Sequence, residues 1–218
     1  MNTTTLRQHF LAQLDATGLV AILRGVRPDE VPAIGTALYE TGFRLIEIPL
    51  NSPDPLRSIE RLAATLPADA LVGAGTVMSP AQALDVQNAG GRLIVMPHSD
   101  LLVVRTAAEA GLITLPGVAT PTEAFAALAA GATGLKLFPA ETLPPIAVKA
   151  WRAVLPQDTR LLPVGGITPD KLADYLSAGA SGFGLGGALY RPGDTPDTVR
   201  QNAQAFMSRW SQIRHPAS

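Results

Sequence analysis

The sequence predicts an α/β protein built as a single (β/α)8 TIM barrel with an extra N-terminal helix, and three observations predict it. Eight apolar runs of strand length recur along the chain, separated by segments rich in alanine and leucine. Several of those segments open on helix-start residues and close on glycine. The runs are apolar throughout, not alternating, as in parallel sheets buried on both faces. With right-handed crossovers, a closed barrel is the economical solution; a doubly wound open sheet is the alternative. At 218 residues, 47% hydrophobic and 16% charged, the chain has the length and composition for one such barrel, so residues 1–218 are expected to form one domain.

The segment from about Leu6 to Ala16 precedes any strand and is predicted to be a helix covering the N-terminal mouth. LVAIL at 19–23 is the first strand, and Pro28-Asp29-Glu30 opens the helix after it. LIEI at 45–48 follows Gly42, which sits where a left-handed helix cap belongs. LVGAG at 71–75 precedes a helix opened by Ser79-Pro80 and closed by Gly90. RLIVM at 92–96 leads to Ser99-Asp100 and Gly111, and LITL at 112–115 leads to Thr120-Pro121-Thr122-Glu123, a capping-box spacing, and Gly131. LKLF at 135–138, RLLPV at 160–164 with Thr168-Pro169-Asp170 and Gly179, and FGLG at 183–186 complete the eight. No linker or low-complexity stretch interrupts them.

Composition narrows the function. A formal net charge of -1 gives no basic stripe for nucleic acid, so no nucleic-acid partner is expected. There is no cysteine, which removes disulfides, thiolate catalysis and Cys-based zinc sites, and fits a reducing compartment. MNTTTLRQHF lacks the basic flank and apolar run of a signal peptide, and no stretch approaches the roughly 18 apolar residues needed to span a bilayer. A cytoplasmic location without membrane contact is expected. Asn2-Thr3-Thr4 matches a glycosylation acceptor formally and reads as a polar terminus.

In such a barrel, polar residues at the C-terminal strand ends draw a functional reading. Lys136, within Gly134-Leu135-Lys136-Leu137-Phe138-Pro139, puts an ammonium inside an apolar strand, with Leu135 and Leu137 on the other face. An unpaired buried ammonium is costly and its pKa falls, which makes the amine a nucleophile toward ketones. Its competing reading is a core lysine neutralised by a carboxylate such as Glu47. Glu47, in Leu45-Ile46-Glu47-Ile48-Pro49, is the same anomaly with opposite sign. It is read as a general acid/base, or else as a static partner of Lys136 or Arg24. Gly165-Gly166 and Gly186-Gly187 place bare backbone after the seventh and eighth strands, where barrels commonly bind phosphate through amides. Ala188 offers no hydroxyl there. His98 reads as a substrate-lining or helix-entry residue. His9 and His215 lie at the ends, and no metal-ligand spacing is present, so no metal and no other cofactor is expected.

From Leu19 to about Trp210 the chain resembles the 2-keto-3-deoxy-6-phospho-sugar-acid aldolases, on ILRG at 22–25, IEIPLNSP at 46–53, GAGTV at 73–77, LKLFPAE at 135–141, PVGGIT at 163–168 and LGGALY at 185–190. The resemblance implies a small barrel, a homotrimer and a metal-free retro-aldol cleavage giving pyruvate and glyceraldehyde 3-phosphate. It also implies that Lys136 forms the iminium and that Glu47 is the acid/base. By the same resemblance Arg24, Thr76, Pro97 and Phe138 line the substrate, and Gly165, Gly166, Gly186 and Gly187 hold the phosphate.

Two branches of this family differ in the C4 configuration of the substrate. Asn51, in Leu50-Asn51-Ser52, and Val164, where the gluconate branch has threonine, resemble the galactonate branch. A methyl in place of a hydroxyl at Val164 removes a hydrogen-bond partner for one epimer. The resemblance departs at His98 and Gly187, where that branch has asparagine and serine. Other readings that keep the fold are the same cleavage on the gluconate epimer, a sugar-phosphate-binding barrel without catalysis, and a barrel isomerase or synthase in which Lys136 is an electrostatic clamp.

Overall fold

The computed structural model describes residues 3–214. Asn2, of the formal glycosylation site, and His215 lie outside the described residues. The strands run β1 Leu19–Ile22, β2 Leu45–Pro49, β3 Leu71–Gly75, β4 Leu93–Val95, β5 Ile113–Leu115, β6 Gly117–Val118, β7 Leu135–Leu137, β8 Leu161–Pro163 and β9 Phe183–Leu185. Six of them pair in the order β5-β4-β3-β2-β1-β9 and three in the order β6-β7-β8, with parallel registers throughout. A parallel bridge between Val164 and Gly184 joins β8 to β9, and β5 runs into β6 across Pro116, so the strands curl into a barrel. The fifth run forms β5 as read, and a further short strand, β6, follows it beyond Pro116. Proline has no N–H for the ladder, which is why pairing lapses at Pro116.

The helices lie outside the strands as the glycine-punctuated repeat requires, apart from the first, which covers one end of the barrel. They are α1 Thr3–Thr17, α2 Val31–Glu40, α3 Pro55–Thr65, α4 Pro80–Asn88, α5 Leu101–Glu109, α6 Pro121–Ala129, α7 Pro145–Arg152, α8 Leu172–Ser177 and α9 Pro196–Arg214. Ser79 and Asp100 accept N–H groups of the first turns of α4 and α5, and Thr120 with Glu123 forms the reciprocal capping box of α6. Glu30 caps α2 with no side-chain bond, and Thr168-Pro169-Asp170 opens a short 3-10 turn ahead of α8 rather than α8 itself. All five predicted glycine caps, Gly42, Gly90, Gly111, Gly131 and Gly179, have positive φ. None of the helices among the described residues is long and apolar enough to cross a membrane.

Strand alternation sorts the core into two parts. Leu19, Ala21, Ile46, Ile48, Val72, Leu135 and Leu137 face the helices in the outer cluster. Val20, Leu45, Leu71, Leu93, Val95, Ile113, Leu115 and Leu162 fill the barrel interior, where Leu6, Phe10 and Leu14 of α1 pack on them. The extra helix thus plugs the N-terminal mouth with a large apolar stripe, and polar chemistry is confined to the opposite end.

Candidate active site

Lys136 and Glu47 both point into the barrel. Each sits between two residues that belong to the outer cluster, so the alternation of β7 and β2 turns the charged side chains inward. Lys136 is 6% exposed and Glu47 1%. No N–O approach within 4.0 Å joins them, so they make no direct ion pair and interact only across a distance.

Burial pushes the Lys136 amine below its ordinary range, and the Arg24 cation pushes the same way, against the pull of Glu47. Burial pushes the Glu47 carboxyl up to about 7, opposed by Lys136, Arg24 and the Gly75 backbone. A carboxyl near 7 exists in both protonation states at neutral pH, as a proton carrier must. One of its oxygens is buried without a hydrogen-bond partner among the described residues, which leaves it able to receive one.

Room for that carboxyl comes from Gly75, the last residue of β3, because a Cβ there would overlap the Glu47 carboxyl group. The Lys136 ammonium lies 4.5 Å from the centre of the Phe138 ring, a cation–π contact that shields one side of it.

An open cavity of about 550 Å³ lies at the C-terminal mouth, with Lys136 at its floor and Phe138 and Val164 on its wall. A much smaller void, sharing Ile22, Lys136, Val164 and Gly184 with that cavity, is lined by Lys136 and Glu47 together. Lys136 is therefore the residue that links the mouth to the buried carboxyl. The same cavity gathers Arg24 and all four predicted phosphate glycines, Gly165, Gly166, Gly186 and Gly187. A Cβ at Gly186 or Gly187 would meet nothing within 4 Å, so their backbone faces open space. Gly165 and Gly166 have positive φ, and a Cβ on either would crowd the Glu141 carboxylate.

The remaining predicted residues are more dispersed. Asn51 accepts a hydrogen bond from the Arg24 guanidinium at 2.6 Å, and buried Ser52 accepts the Gly25 N–H at 2.9 Å, so the loops after β1 and β2 are tied together. Pro97 and His98 line a separate depression on the far side of Phe138, with Ser99 and Glu123. Thr76 follows β3 with φ +56, an uncommon conformation for a non-glycine residue that tends to mark functional positions. Sequence reasoning passed over Arg191, Tyr190 and Thr168, which also line the main cavity. The first two lie just beyond the glycine pair that drew attention, and a cation so near it was the available signal.

Comparison with known proteins gives this geometry a context. A family model described as KDPG and KHG aldolase matches residues 11–200. A probable 2-dehydro-3-deoxy-6-phosphogalactonate aldolase of Rhizobium meliloti (strain 1021) is 51% identical over 195 residues, 89% of this chain and 92% of that protein. The 2-dehydro-3-deoxy-6-phosphogalactonate aldolase of Escherichia coli (strain K12) is 44% identical over 194 residues, 89% of this chain and 95% of that one. A solved structure described as native KDPGal superposes with a TM-score of 0.88 at 44% identity, covering 90% of this chain and 95% of its own. The inward lysine, the buried carboxyl and the glycine-lined mouth thus stand on a barrel that belongs to the KDPG and KHG aldolase family.

Proposed function

We propose that this chain is a class I aldolase that cleaves 2-dehydro-3-deoxy-6-phospho-D-galactonate to pyruvate and D-glyceraldehyde 3-phosphate, with Lys136 as the amine and Glu47 as the proton carrier. The observation that carries the assignment of the amine is the position of Lys136, buried yet open to the cavity floor and unpaired with Glu47. The likeness to two phosphogalactonate aldolases over nine-tenths of the chain supports the reaction.

The chemistry follows from that placement. A neutral Nζ attacks the C2 ketone, and the carbinolamine loses water when its hydroxyl is protonated. The protonated imine is then an electron sink at C2. When the C4 hydroxyl gives up its proton, the C3–C4 electron pair moves toward the imine, leaving an enamine and releasing glyceraldehyde 3-phosphate. Protonation at C3 and attack of water on the imine return pyruvate and the free amine. Glu47, lining the same small void as Lys136 and pushed up to about 7, is suited to carry each of these protons, directly or through one water. No metal is needed, because the imine takes the electrons a metal would otherwise stabilise.

Arg24, positioned by Asn51, supplies positive charge at the mouth for the acid's carboxylate; Phe138 forms part of the wall, and on this reading Thr76 and Pro97 approach the substrate from the loops after β3 and β4. Gly165, Gly166, Gly186 and Gly187 hold the phosphate through backbone amides. Val164, buried at the cavity wall, offers methyls where a hydroxyl would bind the other C4 epimer. Residues 1–218 act as one catalytic domain in the cytoplasm. A homotrimer is part of the same reading, supported by Leu102 and Phe125, exposed on the neighbouring helices α5 and α6.

Supplying each C4 epimer separately and following pyruvate tests the assignment. Faster release from the galactonate compound is expected. Preference for the gluconate compound would overturn the role of Val164, and tight binding of both without pyruvate would leave only a sugar-phosphate-binding barrel.

A further inference from the structure

Beyond the glycines, one cation of the mouth has no partner that explains it. Arg191 follows β9 by six residues and lines the main cavity, where the charged side chains are Arg24, Lys136 and Arg191 and none is acidic. Its Nε donates to the Gly187 carbonyl at 2.9 Å. Among the described residues no carboxylate oxygen lies within 4.0 Å of its guanidinium. The nearby Asp194 carboxylate instead accepts the Arg191 backbone N–H at 2.8 Å. The guanidinium is thus anchored by one N–H and keeps its two terminal amino groups for something else.

The backbone beside it is arranged in the same sense. The Gly186 carbonyl accepts the N–H groups of Leu189 and Tyr190, closing a tight turn, while among the described residues no backbone carbonyl takes those of Gly187 and Ala188. The Arg191 bond draws the Gly187 carbonyl, a group that would repel an anion, onto the guanidinium. Lys171 does the same at the other glycine pair, donating to the Gly166 carbonyl at 2.7 Å. Both pairs therefore have a carbonyl capped by a basic side chain, but only Arg191 also lines the cavity.

We propose that Arg191 is a specificity residue that grips the phosphate of the substrate alongside the glycine amides, so that this chain selects phosphorylated over unphosphorylated 2-keto-3-deoxy acids. A guanidinium forks onto two oxygens of a phosphate, and anchoring at Nε pre-orients that fork. The inference rests on the aldolase reading above.

The test compares wild type, Arg191→Ala and Arg191→Lys on the phosphorylated acid and its dephosphorylated analogue, with inorganic phosphate as a competing anion. Arg191→Ala is expected to raise KM for the phosphorylated acid about 10- to 100-fold, the range of a lost charge-assisted hydrogen bond, with less than a threefold change for the analogue. Inhibition by inorganic phosphate weakens in parallel. Arg191→Lys, which keeps the charge without the fork, falls between. Equal losses on both substrates, or unchanged phosphate inhibition, would overturn the role of Arg191 while leaving the aldolase standing. Absence of pyruvate from wild type with either substrate would overturn the aldolase reading and this inference with it.

Discussion

Replacing Gly75 by alanine asks whether the Glu47 carboxyl must sit where it does. The new methyl would occupy the space now filled by both carboxyl oxygens, and Gly75 has ordinary strand geometry, so the backbone accepts the change and the carboxyl has to retreat. Restoring van der Waals contact requires a displacement of about 1 Å, and a shift of that size at a proton carrier costs on the order of 100-fold in rate. The clash is with the far end of a side chain, so the stability cost is that of mild overpacking, about 1 kcal/mol, or roughly 2–4 °C in melting temperature for a chain of this size. Steady-state pyruvate release and a thermal melt on the same preparation separate the two effects. A variant within threefold of wild-type activity would refute the claim that the carboxyl's position matters. A melting temperature lowered by tens of degrees would show that Gly75 serves the fold rather than Glu47.

With Glu47 pushed up to about 7, kcat/KM should rise with pH through about 7 as the carboxylate forms, and Glu47→Gln should lose most turnover and that limb of the pH profile. The same raised carboxyl adds stability that is full below about 4.5 and is lost as pH rises through about 7, so wild type should melt higher at pH 5 than at pH 8 by more than Glu47→Gln does. Val164→Thr should narrow the preference between C4 epimers by at least tenfold in the ratio of kcat/KM values, read by pyruvate release from each. Thr120→Ala removes the capping-box acceptor of α6 and should cost about 1 kcal/mol in denaturant titration without changing activity.

Much of this architecture was legible because local chemistry and global fold agree. Five glycines read as helix caps all adopt the left-handed conformation, and the alternation around Lys136 and Glu47 fixed their inward direction before any contact was known. Period-two alternation gives direction but not depth. It could not tell that Lys136 lines both the large cavity and the small void next to it while Glu47 lines only the small one. Nor could it show the break at Pro116, since an apolar run with a proline beyond it reads as one strand that ends. The Arg24 to Asn51 bond spans 27 residues, and the left-handed backbone at Thr76 belongs to a residue type with no local preference for it; both arise from closure of the mouth. Arg191 escaped because its role depends on the carbonyl of Gly187, and carbonyl directions are set by a turn whose hydrogen bonds the sequence does not spell out.

Borohydride reduction in the presence of pyruvate, followed by peptide mass analysis, addresses the amine itself. Irreversible inactivation with a reduced pyruvate adduct on the peptide carrying Lys136 is the expected result, abolished in Lys136→Arg, whose guanidinium cannot act as the amine. An adduct confined to Lys149 of α7 or Lys171 of the 3-10 turn before α8, or full turnover by Lys136→Arg, would contradict the assignment.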